Sequence, residues 1–200
     1  MIIGITGGIG SGKSVIAKQL REMGYAVYDT DSEAKRLIVE DAAVRKQMIQ
    51  LFGSDVYKDG IYQTVFVAQR VFTDKSLLAR LNAIVHPAVR ADILRWATMQ
   101  DSPSFRKGLG GGLCFVECAI LYQAGFDSLC DKVVAVTAPE DIRLERVIAR
   151  DHSTMDKVRA RMRAQNAEQD LLRADIVVNN DGQTPISTLC EQILHEAKAM

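Results

Sequence analysis

The chain predicts an α/β fold built on a parallel β-sheet, and three observations predict it. Short apolar runs alternate with helical patterns, tight glycine turns separate them, and the rhythm resumes after a mostly helical middle. The first run, Ile2 to Ile5, is cut off by Gly7 and Gly8. From Lys13 to Met23, Val15, Ile16, Leu20 and Met23 fall on one helical face, with Gly24 placed as the C-terminal stop. Tyr25–Tyr28 reads as a second strand, closing a βαβ unit whose strands must run parallel.

The stretch 32–100 shows almost no strand pattern. Ala34, Leu37 and Ile38 mark one helix, and Val44, Met48, Ile49 and Leu51 a second that ends at Gly53. Leu77 to Val85 marks a third, expected to break at His86-Pro87 because proline disfavours helical geometry in the residue before it. A helical face resumes from Val89 to Trp96, and Phe66, Phe72 and Trp96 are expected in the core of this segment. Ser102 to Gly112 reads as loop. Strands then follow at Leu113–Val116 (extending towards Leu121), Lys132–Val136 and Asp175–Val178. Helices are expected at Glu140–Ala149, about Met155–Asp170 and Pro185–Lys198.

Composition narrows the function. With 200 residues, 48% hydrophobic and 25% charged, the chain has the profile of one ordinary globular domain. Lys+Arg and Asp+Glu both number 25, so no basic excess points to nucleic acid or a membrane surface. No apolar run approaches the roughly 18 residues of a membrane span. Met1 to Ile5 leads straight into glycines, with no basic n-region and no cleavage site, so no signal peptide is expected. Cys114, Cys118, Cys130 and Cys190 form no C-x-x-C pair and suit no common zinc spacing, which predicts reduced thiols in a cytoplasmic protein.

Gly7-Gly8-Ile9-Gly10-Ser11-Gly12-Lys13-Ser14 matches the phosphate-loop pattern G-x-x-x-x-G-K-[ST] in full, between a predicted strand and a predicted helix. Glycines let consecutive backbone N–H groups curl around an anion, and the following helix adds its positive N-terminal end. Lys13 supplies a point charge to the β- and γ-phosphates and Ser14 a hydroxyl for Mg²⁺. No N-K-x-D guanine motif is present, and the chain is short for a motor, so a small phosphoryl-transfer enzyme is favoured.

Asp29-Thr30-Asp31 ends the second strand, where ligands of open α/β sheets bind. Asp31 is the expected base for an attacking hydroxyl, with Asp29 assisting the metal; the competing reading is that Asp31 or Ser32 caps the next helix. Arg143, Arg146 and Arg150 lie at helical spacing, followed by Arg159, Arg161 and Arg163. Arg146 and Arg150 are favoured as lid arginines over a solvated face paired with Glu140, Glu145 and Asp151. Glu117 reads as a Walker-B-like acid holding Mg²⁺ through water, or else as a strand-end carboxylate. His86 reads as a packing residue or a ligand contact, and His152 and His195 as surface groups.

At this point the sequence resembles the dephospho-CoA kinase family. The residues that carry the likeness are the opening I-T-G-G-I-G-S-G-K-S, Y-D-T-D where the family shows I-D-A-D, and Ile84-Val85-His86-Pro87. Arg146-x-x-x-Arg150-Asp151, Arg161-Met162-x-x-Gln165 and Ala174 through Gly182 complete the set. The resemblance implies a P-loop NTPase-type three-layer fold in one domain: a nucleotide core over 1–31 and 110–200, a helical acceptor-binding insertion near 32–106 and a lid near 143–163. It implies ATP-dependent phosphorylation of the ribose 3′-hydroxyl of dephospho-CoA, the last step of coenzyme A synthesis. Carried over by position, Gly10, Ser11, Gly12, Lys13, Ser14, Val15 and Asn179 bind ATP. Asp31 matches the base and His86 lies on the acceptor side, while Ser14 and Glu117 keep the Mg²⁺ roles read from the motif and the strand end. A monomer or weak homo-oligomer is expected. One departure stands out: where the family reads P-L-L-F-E, this chain has Ala119-Ile120-Leu121-Tyr122-Gln123, so that glutamate's part must fall to another group such as Glu117. Two rivals are another small-molecule or nucleoside monophosphate kinase and an idle nucleotide-binding regulator.

Overall fold

A computed structural model describes residues 1–100, 112–163, 165 and 167–199. All but Gly112 of the expected loop at Ser102–Gly112 therefore lies outside the described residues. In chain order the elements are β1 (Ile2–Gly7), α1 (Lys13–Glu22), β2 (Ala26–Asp29), α2 (Thr30–Glu40), α3 (Ala42–Phe52), β3 (Tyr57–Lys58), β4 (Ile61–Tyr62), α4 (Thr64–Thr73) and α5 (Lys75–Gln100). They continue with β5 (Cys114–Glu117), β6 (Lys132–Thr137), α6 (Glu140–Asp151), α7 (Met155–Arg163), α8 (Ala167–Arg173), β7 (Ile176–Asn179) and α9 (Ile186–Lys198). The chain divides into two compact units, Met1–Tyr28 with Ala97–Met200, and Asp29–Trp96.

The first unit carries a sheet in the order β2-β5-β1-β6-β7. The pairs of β1 with β5 and β6, and of β6 with β7, are parallel, with Ile3 opposite Phe115, Ile5 opposite Val134 and Val136 opposite Val178. Central strands of a parallel sheet are covered on both faces, which is why β1 and β6 are nearly continuous apolar runs. Their side chains pack with Ile16 and Leu20 of α1 and Leu189, Ile193 and Leu194 of α9 into one core. Tyr25 meets Phe115 edge to face at 5.8 Å. Parallel pairing brings the carboxyl ends of β1, β5, β6 and β7 to one edge, and the loops that carry chemistry start there.

Two expectations change in this unit. The strand after Leu113 stops at Glu117 instead of running towards Leu121. The chain coils around the fully buried Leu121, with Ala124 N–H bonded to Ile120 C=O and Phe126 N–H to Leu121 C=O. The single helix expected over 155–170 is two, because Gln165 N–H closes a tight turn on Met162 C=O and its side chain goes elsewhere. The four cysteines are thiols outside any disulfide, and burial pushes the Cys130 thiol up to about 12 and Cys190 to about 11.

The second unit is helical with one hairpin, β3–β4, that the strand reading missed. Its turn is Asp59-Gly60, both at positive φ (51° and 80°), the backbone that two-residue hairpins need and that Asp-Gly supplies. The expected break at His86-Pro87 does not occur; α5 runs through Pro87. The ring removes one helical donor, but Val85, Val89 and Ile93 form a buried stripe spanning the proline, and that packing offsets the loss. Pro87→Ala is accordingly expected to stabilise the protein by about 2 kcal/mol, most of the helix-propensity cost of proline less the gain in unfolded-chain freedom. Urea denaturation reads this, and an unchanged or lower midpoint would count against the balance drawn here between the cost of proline and the packing of the stripe. His86 is half-buried, and desolvation holds its pKa below the ordinary histidine value. Phe72, expected in the core, is 91% exposed: only Val67 of α4 is buried, and Phe72 projects from another face of the helix.

Candidate active site

The loop between β1 and α1 is shaped from several directions. Gly12 sits at φ 94°, ψ 21°, and no side chain caps α1, which leaves the N-terminal end of that helix open to an anion. Ser11 N–H closes on Gly8 C=O (3.2 Å), its hydroxyl is buried with no partner among the described residues, and its carbonyl accepts from Asn180 Nδ2 (2.9 Å). Ser11 therefore shapes the loop. Lys13 is buried, its ammonium donating to the carbonyls of Gly7 (2.8 Å) and Gly8 (3.2 Å). A Cβ on Gly12 would lie 2.1 Å from Asn180 Nδ2. Gly12→Ala should therefore cost about 2 kcal/mol from the left-handed backbone and weaken nucleotide binding as Asn180 retreats. Thermal melting with and without ADP tests this, and a normal ADP shift would contradict it.

Glu117 ends β5, the strand beside β1, so the ladder carries its carboxylate to the start of α1. Ser14 Oγ donates to Glu117 Oε1 at 2.7 Å, and Glu117 is only 8% exposed. A hydroxyl and a carboxylate in contact form the oxygen donor set that suits Mg²⁺, which keeps several waters as its other ligands. The strand-end surface reading of Glu117 does not hold, since the group is buried.

On the other side of the loop lies a cavity of about 350 Å³, lined by Gly12, Val15, Arg146, Asn180, Gly182, Gln183, Thr184, Pro185 and Ile186. That volume falls in the range of small-molecule sites. Asp181 shapes its wall by accepting from the N–H groups of Gln183 and Thr184, and those bonds hold its carboxyl below the usual range. Arg146 donates to Asn180 C=O (3.1 Å) and Oδ1 (3.4 Å), tying α6 to the end of β7.

The structure brings Gly10, Gly12, Lys13, Ser14, Glu117, Val15 and Arg146 together around this loop. Asn179 is on the exposed face of β7, and the buried neighbour Asn180 enters the site instead. Arg150 points elsewhere: it pairs with Asp151 at 2.7 Å, as does Arg161, and the two hold the Asp151 carboxyl well below its usual range. In the second unit, Asp29 is the cap of α2, accepting from the N–H groups of Asp31 and Ser32. Asp31 is exposed in the first turn, and its carboxylate has no hydrogen-bond or ion-pair partner among the described residues. His86 lies mid-way along α5. Asn180, Arg143 and Gln165 fall within segments singled out from sequence, but none of them is assigned there to this loop. Strand alternation would have found the first, because Ile176, Val178 and Asn180 share a face.

At the departure from P-L-L-F-E, Gln123 donates to the buried Asp170 carboxylate at 3.3 Å, a bond a glutamate could not give when ionised. Arg173 covers the Tyr122 ring at 3.9 Å, and burial pushes that phenol up to about 12.

The family model described as dephospho-CoA kinase matches residues 1–185. The chain belongs to the dephospho-CoA kinase family. A dephospho-CoA kinase of Porphyromonas gingivalis is 45% identical over 172 residues, 86% of this chain and 81% of that one. The Thermus thermophilus protein TT1252 superposes with a TM-score of 0.81 at 32% identity, over 100% of this chain and 98% of that one. The dephospho-CoA kinase of Campylobacter jejuni shares the fold, with a TM-score of 0.69 at 23% identity over 98% and 96% of the two chains. As a member of this family the chain is a kinase with a parallel-sheet P-loop core. No helix among the described residues is long and apolar enough to cross a membrane.

Proposed function

We propose that this kinase transfers the γ-phosphoryl group of ATP to the ribose 3′-hydroxyl of dephospho-CoA, giving coenzyme A and ADP, in the cytoplasm and as a monomer or weak homo-oligomer. The observation that carries the reading is the continuous site along the loop, from the Ser14–Glu117 pair through Lys13 to the cavity at Val15, Arg146 and Asn180, in a chain of this family. The backbone of Gly10 and Gly12 and the N-terminal end of α1 receive phosphate oxygens. Val15, Pro185 and Ile186 give the cavity an apolar wall for a base, with Asn180 and Arg146 as its polar partners.

Ser14 and Glu117 would hold Mg²⁺, which when bound neutralises charge on the phosphates. Lys13 exchanges its loop carbonyls for phosphate oxygens and stabilises charge as it builds on the transferring group. Asp31 orients the acceptor hydroxyl and takes its proton, and its unpartnered carboxylate supports that assignment. His86 belongs to the acceptor side. Arg150 is proposed as a lid arginine that leaves Asp151 when phosphate is bound.

The test is ADP release by purified protein with ATP and a panel of acceptors: dephospho-CoA, shikimate, gluconate and nucleoside monophosphates. Turnover confined to dephospho-CoA is expected. No turnover with dephospho-CoA, or preference for another acceptor, rejects the reading.

A further inference from the structure

The phosphate loop contains Gly8-Ile9-Gly10, so the two peptide units flanking Ile9 adjoin glycines and have little conformational restraint of their own. Their orientation must be imposed from outside the loop, and two side chains do so. Ile9 N–H donates to Gln165 Oε1 at 2.7 Å, and Arg143 Nε donates to Ile9 C=O at 2.9 Å. The Ile9 side chain is seated against Leu144, Val147, Val158 and Met162, the small core between α6 and α7. Close packing continues at Gly10, where a Cβ would fall 2.5 Å from the Arg143 carbonyl oxygen.

A trans peptide is planar, with its C=O and N–H pointing in opposite directions. Gln165 holding Ile9 N–H on one side therefore turns Gly8 C=O to the other, where it accepts from Lys13 Nζ and Ser11 N–H, both at 3.2 Å. Arg143 holding Ile9 C=O likewise directs Gly10 N–H away from α6. One peptide thus sets where the lysine ammonium waits, and the next sets a donor of the anion-binding loop.

We infer that Gln165 and Arg143 act as a clamp on Ile9, positioning the phosphate loop for nucleotide through its Gly8–Ile9 and Ile9–Gly10 peptides. The inference rests on the kinase reading above and adds two residues that do not line the cavity beside the loop. Gln165 follows α7 and Arg143 lies on α6, so the clamp also makes the loop's geometry depend on how those two helices are packed.

The test uses the full chain with Gln165→Met, which keeps length and removes the acceptor, Arg143→Lys, which keeps charge and removes the Nε donor, and the double variant. Calorimetric ADP affinity, KM for ATP and for dephospho-CoA, and the ligand-free Tm are read for each. Gln165→Met is expected to weaken ADP and raise KM for ATP about tenfold, the scale of one or two lost hydrogen bonds, with KM for dephospho-CoA unmoved. The double variant should lose less than the product of the single losses, because both act on one residue's two peptides. ADP affinity within about twofold of wild type in Gln165→Met, or a lower Tm with unchanged ADP affinity, overturns the clamp. So do losses that simply multiply. Wild-type protein that binds ADP yet does not phosphorylate dephospho-CoA rejects the proposed function instead, and ADP affinity still decides the clamp.

Discussion

Asp31→Asn is expected to lower kcat by about a hundredfold or more while leaving ATP affinity and the melting temperature nearly unchanged, the scale on which general-base loss acts. The local structure separates this from a folding defect. Asparagine has the same shape as aspartate, and the bond Asp31 makes in α2, from its N–H to Asp29 Oδ1 at 3.0 Å, belongs to the backbone and survives. The carboxylate itself holds no partner among the described residues, so its removal strands no other group. Asp29 gives the contrast. It caps α2 through two backbone N–H groups, and Asp29→Ala should cost about 1 kcal/mol of stability. Steady-state kinetics beside thermal melting decides the matter. Turnover of Asp31→Asn within about tenfold of wild type would remove Asp31 from the role of base.

How much could be seen beforehand follows from how local each signal is. The sheet strands are legible because buried parallel strands are apolar runs ended by turn residues, and the phosphate loop because its glycines, lysine and serine are the residue types that an anion and its metal require at fixed spacing. The course of α5 is not, because proline's local preference against helix is outweighed by the buried stripe at Val85, Val89 and Ile93, which only the folded unit creates. The hairpin at Asp59-Gly60 was written in the sequence, but its two-residue strands are too short to show alternation. The partners of the loop divide in the same way. Lys13 and Ser14 lie within the motif, whereas Gln165 and Arg143 reach Ile9 across sequence separations of 156 and 134, and nothing local announces such a bond. The likeness marks the stretch from Asn179 onward, and only strand alternation followed past the end of β7 separates the exposed Asn179 from the buried Asn180.

Lys13→Met should abolish most activity, by about a thousandfold in kcat/KM, the loss seen when a preorganised charge aimed at a transition state is removed. It should do so without unfolding the protein. Lys13 is only 9% exposed, so its ammonium sits largely out of water, held by the Gly7 and Gly8 carbonyls. Burying a charge is costly, and an apolar side chain of similar length removes that cost together with the two hydrogen bonds. Both carbonyls lose the ammonium, but Gly8 C=O keeps its bond from Ser11 N–H, and the net change in stability should be small. The prediction is a variant that melts near wild type in the absence of nucleotide and no longer gains Tm from ATP. Lys13→Arg sharpens it. The charge returns, but the planar guanidinium does not fit the place of a compact ammonium between two carbonyls 2.8 and 3.2 Å away, so activity should stay low. Recovery with arginine would mean that net positive charge suffices. Failure of both variants, with the fold intact, places the catalytic requirement on the position of the ammonium that these two loop carbonyls establish.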